Sequence, residues 1–285
     1  MPELDEISYS REATVCAFRD YYRFLVDLYM EETEVIDPPA GGWPTISSEF
    51  QRLFGKSDEV IALLHILPYI RESGPSGEWH PPHGSPNCYW ADWQSLAEGA
   101  LRRAEARENS GTNADAALKV QSEGALDDVP AHVVGLTFGD RENKVFLLDP
   151  NLGIIHWPES DGGGTHRHNF DEDPSFIEPV YDVDEHVPEE EIEWRNESPA
   201  WAITDFFELL KLQYRNLKWI PINSRQVIDI DAHYETSEDG MIPMLQRIYR
   251  EHGWAPDQSS TYRKQECLEA VKRALAENYP NFEGF

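Results

Sequence analysis

The chain has 285 residues, 53 acidic against 24 basic, for a formal net charge of −29. That excess argues against nonspecific nucleic-acid binding, which Lys and Arg drive by displacing counterions, and against an anionic membrane surface. A hydrophobic content of 40% and nine tryptophans describe a folding chain, long enough for one large domain or two small ones.

A basic protein partner fits the charge, and such an association would be steered electrostatically and be sensitive to salt. The other reading of the acidity is that it keeps the protein soluble. Cys16, Cys88 and Cys267 are odd in number and widely spaced, which speaks against a disulfide framework or a metal-ligand spacing. Cys16 and Cys267 fall at apolar positions of expected helices, where buried thiols belong. The first residues are acidic without an apolar core, and no apolar run approaches the roughly 20 residues that span a bilayer. The expectation is a cytoplasmic or nuclear protein with no direct membrane or nucleic-acid contact.

In chain order, residues 11–32 read as a helix. Val15, Phe18, Tyr22, Leu25 and Tyr29 make one apolar stripe, and Tyr21, Leu28 and Met30 widen it. Pro38 to Pro44 breaks the chain. Ser48 with Gln51 forms a capping-box pattern for a short helix that stops at Gly55. Ser57 caps the next, with Asp58 and Glu59 suiting the positive end of its dipole, and that helix ends before Pro68. The stretch 70–87 is rich in Gly, Pro and Ser and reads as a loop. Asp92 is placed to cap a helix from Trp93 to about Arg107, and a polar break follows at 109–113.

Three apolar runs come next: Val133 to Phe138, Val145 to Leu148 and Ile154 to Trp157. Their β-branched and aromatic content suits strands, and the five-residue separators carry turn chemistry. They predict an antiparallel meander whose middle strand, without a polar residue, is covered on both faces. From Glu159 to Glu197, 14 acidic residues face only Arg167 and Arg195, a net of −12. This reads as an acidic insertion in which Ile177, Val180, Tyr181 and Val183 could lay a strand against the core. Ser198-Pro199 predicts a helix start, with Trp201, Phe206, Leu209, Leu210 and Leu217 on its apolar face. Trp219 to Ile222 reads as a short edge strand because of Pro221. Two helices close the chain, near 242–251 and 262–278. The expected fold class is α+β, one domain with a central antiparallel sheet. It is packed by N-terminal helices (about 11–108) and C-terminal helices (about 240–279), with the sheet core at about 117–222.

No catalytic residue is assigned. His80, His83, His166 and His168 are the candidate metal ligands, since two loops could each give a pair of imidazoles. Solvated loop histidines are the competing reading, no HExxH pattern exists, and no cofactor is expected. The Gly162 to Gly164 run lacks the Lys-Ser/Thr of a phosphate loop. Asp140 and Asp149 stand at strand ends, where carboxylates can do acid–base work or simply make turns. Trp43, Trp79, Tyr89, Trp90, Trp93 and Trp157 are the candidate partner or ligand contacts. Loop aromatics can line a pocket, and they can equally staple a long loop to the core.

Leu148-Asp149-Pro150-Asn151-Leu152-Gly153-Ile154-Ile155-His156-Trp157, a strand ending in Leu-Asp, a Gly turn and a strand opening Ile-Ile, resembles the core of the SUKH superfamily, the Smi1/Knr4-like proteins. The segment Trp201 to Leu217 is similar to that family's C-terminal helix. Gly42-Trp43-Pro44, Val60 to Tyr69, Ile248 to Trp254 and Glu266-Cys267 resemble a fungal branch of it. The resemblance covers roughly Phe18 to Phe285. It implies an α+β fold and a role exerted through protein contacts: toxin binding in bacterial immunity proteins, cell-wall and stress signalling in the fungal type. It brings no catalytic residues. The expected function is a non-enzymatic interaction or regulatory protein with a protein partner, for which a basic one fits the charge. The alternative is a cofactor-independent enzyme or small-molecule-binding accessory protein with a pocket under the 79–93 loop. A mimic of nucleic acid is a third reading of the charge.

Overall fold

The structure, a computed structural model, describes residues 4–72, 81–107, 115–123, 126, 129–138, 144–158, 175, 177, 191, 194–195, 198–232, 240–254 and 261–282. It is α+β, with eight helices and several small antiparallel sheets among those residues.

Helix α1 (Arg11–Leu28) starts where the Ser10 hydroxyl accepts the Ala13 amide at 3.3 Å. It buries the expected stripe on two sides: Val15, Phe18, Tyr22 and Leu25, with Tyr21, Phe24 and Leu28. Strand β1 (Val35–Ile36) pairs antiparallel with β2 (Tyr69–Ile70). Two-residue strands carry no readable period, so the sequence placed none there. Helices α2 (Ser48–Phe54) and α3 (Asp58–Leu64) lie between them. The cap of α2 is Ser47, one residue before the expected Ser48. The Gln51 amide does not complete a capping box; it donates to the Lys56 carbonyl at 3.3 Å and to Asp58 at 2.6 Å. Gly55 closes α2 with φ +75°, a conformation that favours glycine.

Part of the presumed loop 70–87 is a hairpin, β3 (His83–Ser85) with β4 (Cys88–Tyr89). Its backbone is held from inside: Tyr29 donates to the His83 carbonyl, and Tyr21 and Tyr214 donate to the Gly84 carbonyl. Asp92 caps α4 (Trp93–Arg107) as expected, accepting the Ser95 amide at 3.1 Å. Helix α5 (Asp115–Glu123) stands where the sheet core was expected to begin.

The main sheet has four strands in the order β5 (Val134–Gly135), β6 (Leu147–Asp149), β7 (Ile154–His156), β8 (Ala200–Ala202), all antiparallel. The first three are the expected meander. The fourth corrects the reading of 198–202 as a helix start. Pairing of Trp201 with Ile155 satisfies the outer backbone groups of β7, and helix α6 (Ile203–Arg215) begins only afterwards. Both faces of β6 are covered. Phe146 and Leu148 face the main core, while Val145 and Leu147 pack with Val129, Val133 and Trp194. Ile154 packs with Ile177 and Ala200 on that second side. Strands β9 (Trp219–Pro221) and β10 (Val227–Asp229) form a separate pair, which places Pro221 off the main sheet. Helices α7 (Met241–Glu251) and α8 (Lys264–Asn278) follow the sequence reading. Tyr262 and Lys264 fasten them to the end of α1, donating to the carbonyls of Leu28, and of Val26 and Met30.

The core is aromatic. Phe18, Tyr21, Tyr22, Trp90 and Phe207 are linked by ring contacts of 4.8–6.2 Å that join α1 and α6 to the chain after β4. Large rings supply much buried area for little lost side-chain freedom, which offsets the short strands.

Candidate functional site

The aromatic candidates do not form a surface patch. Trp90 and Trp93 are 2% and 1% exposed. Trp90 packs on Phe18, Tyr21 and Phe146, while Trp93 packs on Phe50 and Phe54 and donates to the Gly135 carbonyl. Trp157 is buried against Phe146, Trp201 and Trp219. Half-buried Trp43 lies by Tyr69 and donates to the Leu67 carbonyl, and half-buried Tyr89 lies by His83. Three of the five described rings fill the core and the other two are half-buried. Trp79 lies outside the described residues. Burial therefore favours the stapling reading for Trp90 and Trp93, and Trp157 is a core residue as well. Among the described residues the one large exposed apolar side chain is Leu212.

His83 braces two strands. It is buried, and its Nδ1 accepts the amides of Asn87 and Val227, each at 3.3 Å, which ties β3 to β10. His80, His166 and His168 lie outside the described residues. Cys88 and Cys267 are buried, and burial pushes their thiols up to about 11 and about 12, away from nucleophilic character. Cys16, expected to be buried, is exposed because it lies on the outer side of α1.

Two polar clusters are internal. Lys56 and Glu123 form an ion pair with both side chains shielded from solvent, and Lys56 also donates to the Pro130 carbonyl at 3.2 Å. Burial pushes Lys56 down and Glu123 up, and each is held back by the other's charge. The second cluster joins the acidic segment to the sheet. Arg195 meets Asp149 at 2.7 Å, Glu191 at 2.8 Å and His156 Nε2 at 3.0 Å, and its guanidinium lies 4.4 Å from the Trp194 ring centre. Asp149 Oδ1 accepts the amides of Asn151 and Leu152, so the turn role stands for this carboxylate. Asp140 is outside the described residues. His156 is pushed down to about 3, first by burial and then by Arg195. A ring that accepts from Arg195 at Nε2 is neutral and carries its proton on Nδ1.

A cleft opens beside α4. It encloses about 470 Å³ and is lined by Glu72, Ser95, Leu96, Glu98, Gly99, Arg102, Arg103, Gln121 and Phe138. The sequence builds it simply. Asp92 caps α4 and also accepts the Glu72 amide at 3.3 Å, which fixes the chain after β2 against the helix start. Ser95, Glu98, Gly99, Arg102 and Arg103 follow at three- and four-residue steps on one helix face. Gln121 comes from α5 and Phe138 from the chain after β5. Arg102 is paired with Glu98 at 2.9 Å. Glu72 is pushed up by burial and then by the charge of Asp92, with Arg103 opposing. Asp92 is pushed up by burial and held back by the Ser95 hydrogen bonds. The side chain of Glu72 has no ion pair or hydrogen bond among the described residues, and the Gln121 Oε1 is shielded and unpartnered.

None of the five described aromatic candidates lines this cleft. It stands beside α4, the helix that opens at the end of the 79–93 stretch. The polar face of α4 was readable in its periodicity. Its partners Glu72, Gln121 and Phe138 come from distant segments and carried no signal. No family model matches the chain, and no curated protein or solved structure matches it at the significance required.

Proposed function

We propose that this chain is a non-enzymatic, Smi1/Knr4-like interaction protein that binds a basic protein partner through its acidic segment. The observation that supports it is the anchoring of that segment. Its 159–197 stretch carries −12 of the net −29, and the main sheet grips it at two points. Ile177 donates its amide to Ala200 at 2.9 Å, and Arg195 is locked to Asp149 at the end of β6. A charge block of this size steers a cationic partner over a Debye length of about 8–10 Å.

The test is affinity purification of the tagged protein from its native cells, with the eluate divided between protein identification and small-molecule mass spectrometry. A stoichiometric basic protein released by raised salt is the expected result. A bound metabolite without a protein partner overturns the reading. It would favour the second one, a small-molecule-binding or cofactor-independent catalytic role at the α4 cleft, whose specific support is the pair of upshifted carboxyl groups Glu72 and Asp92.

A further inference from the structure

We propose that the α4 cleft receives a single lysine or arginine side chain of the basic partner, with Glu72 and the Gln121 carbonyl oxygen as its acceptors. This deepens the basic-partner reading and rests on it.

The argument is one of unmet acceptors. Glu72 is half-buried and its carboxylate has no ion pair among the described residues, while Gln121 Oε1 is shielded and accepts nothing among them. Buried acceptors without donors cost free energy, and a ligand that brings N–H donors removes the cost. Asp92 sits behind Glu72, its oxygens already used by Ser95 and by the Glu72 amide. It adds negative potential without competing for the ligand. Leu96 and Phe138 offer apolar surface to the methylene stem that a long cationic side chain keeps out of water.

The rim arginines do not make this an anion site. Arg102 is already spoken for by Glu98, and an anion near Arg103 would face Glu72 and Asp92. Arg103 is exposed and long, so it can swing aside for an incoming cation. Its charge still opposes that cation, and this gives the test its sign. The cleft volume of about 470 Å³ leaves room for an inserted lysine or arginine side chain. The overall charge of −29 favours a polypeptide cation as the source.

The probe is a decaarginine peptide, titrated into the full chain at low salt, with the 13C-methyl resonances of Leu96 and calorimetry as readouts. E72Q is expected to weaken binding about tenfold, the size of one lost charge-assisted hydrogen bond. E269Q removes the same charge on exposed α8 and is expected to stay within about twofold. R103A is expected to bind more tightly than wild type. Nα-acetyl-arginine methylamide is expected to shift the same Leu96 resonances. Thermal melts verify folding, and E72Q removes a carboxylate that no described residue partners.

Equal affinities for E72Q and E269Q, with wild-type binding intact, overturn the cleft assignment and leave the acidic-segment reading standing. Weaker decaarginine binding by R103A also overturns it, because removing a like charge beside the proposed acceptors cannot weaken a cation bound there. Failure of wild type to bind decaarginine at all overturns the basic-partner reading itself.

Discussion

Arg195→Met tests the joint between the acidic segment and the sheet. In the folded protein Arg195 is 5% exposed and meets two carboxylates, Asp149 and Glu191, that are 0% and 4% exposed. Methionine keeps most of the stem volume and removes the charge. Breaking a buried pair from one side costs about 3–5 kcal/mol, because the remaining charge is left desolvated. Glu191 belongs to the same segment as Arg195 and can move with it. Asp149 cannot, since its Oδ1 is fixed by the Asn151 and Leu152 amides. Its Oδ2 would keep only half-buried His132, at 3.7 Å. The lower end, about 3 kcal/mol, is therefore the expectation, which lowers Tm by roughly 6–12 °C for a chain of this class. Thermal unfolding followed by circular dichroism reads the shift. Tryptophan fluorescence reads the exposure of Trp194, whose ring lies under the guanidinium. The double variant D149N/R195M removes the stranded charge and is expected to regain at least about 1 kcal/mol over R195M alone. An R195M protein that melts within about 1 °C of wild type would refute the view that this cluster is desolvated and holds the segment.

Three further outcomes follow from the same geometry. Gly135→Ala places a Cβ 1.8 Å from the Ser122 carbonyl oxygen, a backbone clash between β5 and α5, so it is expected to cost more than about 3 kcal/mol in denaturant titration. The buried neutral His156 makes stability depend on pH. Its folded pKa of about 3 lies below the ordinary 6.5, so the unfolded chain binds the extra proton between them. That contribution is complete above pH 6.5 and is lost progressively as pH falls towards 3, at about 1.4 kcal/mol per pH unit, and a His156→Gln protein should show a flatter acid limb in the same melts. Ellman's reagent should titrate one thiol quickly, Cys16. Cys88 and Cys267 are expected to react only on unfolding, and fast reaction of either would contradict their burial.

The sequence was most legible where one segment carries its own signal. The stripe of α1, the Ser57 and Asp92 caps, the stop at Gly55 and the meander of β5, β6 and β7 depend on local period and local hydrogen bonds. It was least legible for two- and three-residue strands. Pairs β1–β2 and β3–β4 exist because a distant partner satisfies their backbone, and no period of two can be read from two residues. Trp201 shows the conflict directly. Its spacing to Phe206 and Leu209 suits a helix, but the open edge of β7 draws Ala200–Ala202 into the sheet.

By itself, then, the sequence determined the α+β class, the acidic character and most helix boundaries, because those follow from composition and from interactions within a few residues. Only the tertiary structure decided where the tryptophans went, since an aromatic beside Gly and Pro looks the same whether it faces solvent or core. It also decided that Arg195 closes on Asp149, 46 residues away in sequence. Likewise, the approach of Glu72, Gln121 and Phe138 to the polar face of α4 arises from packing between segments with no shared local pattern, which is why the cleft could not be read in advance.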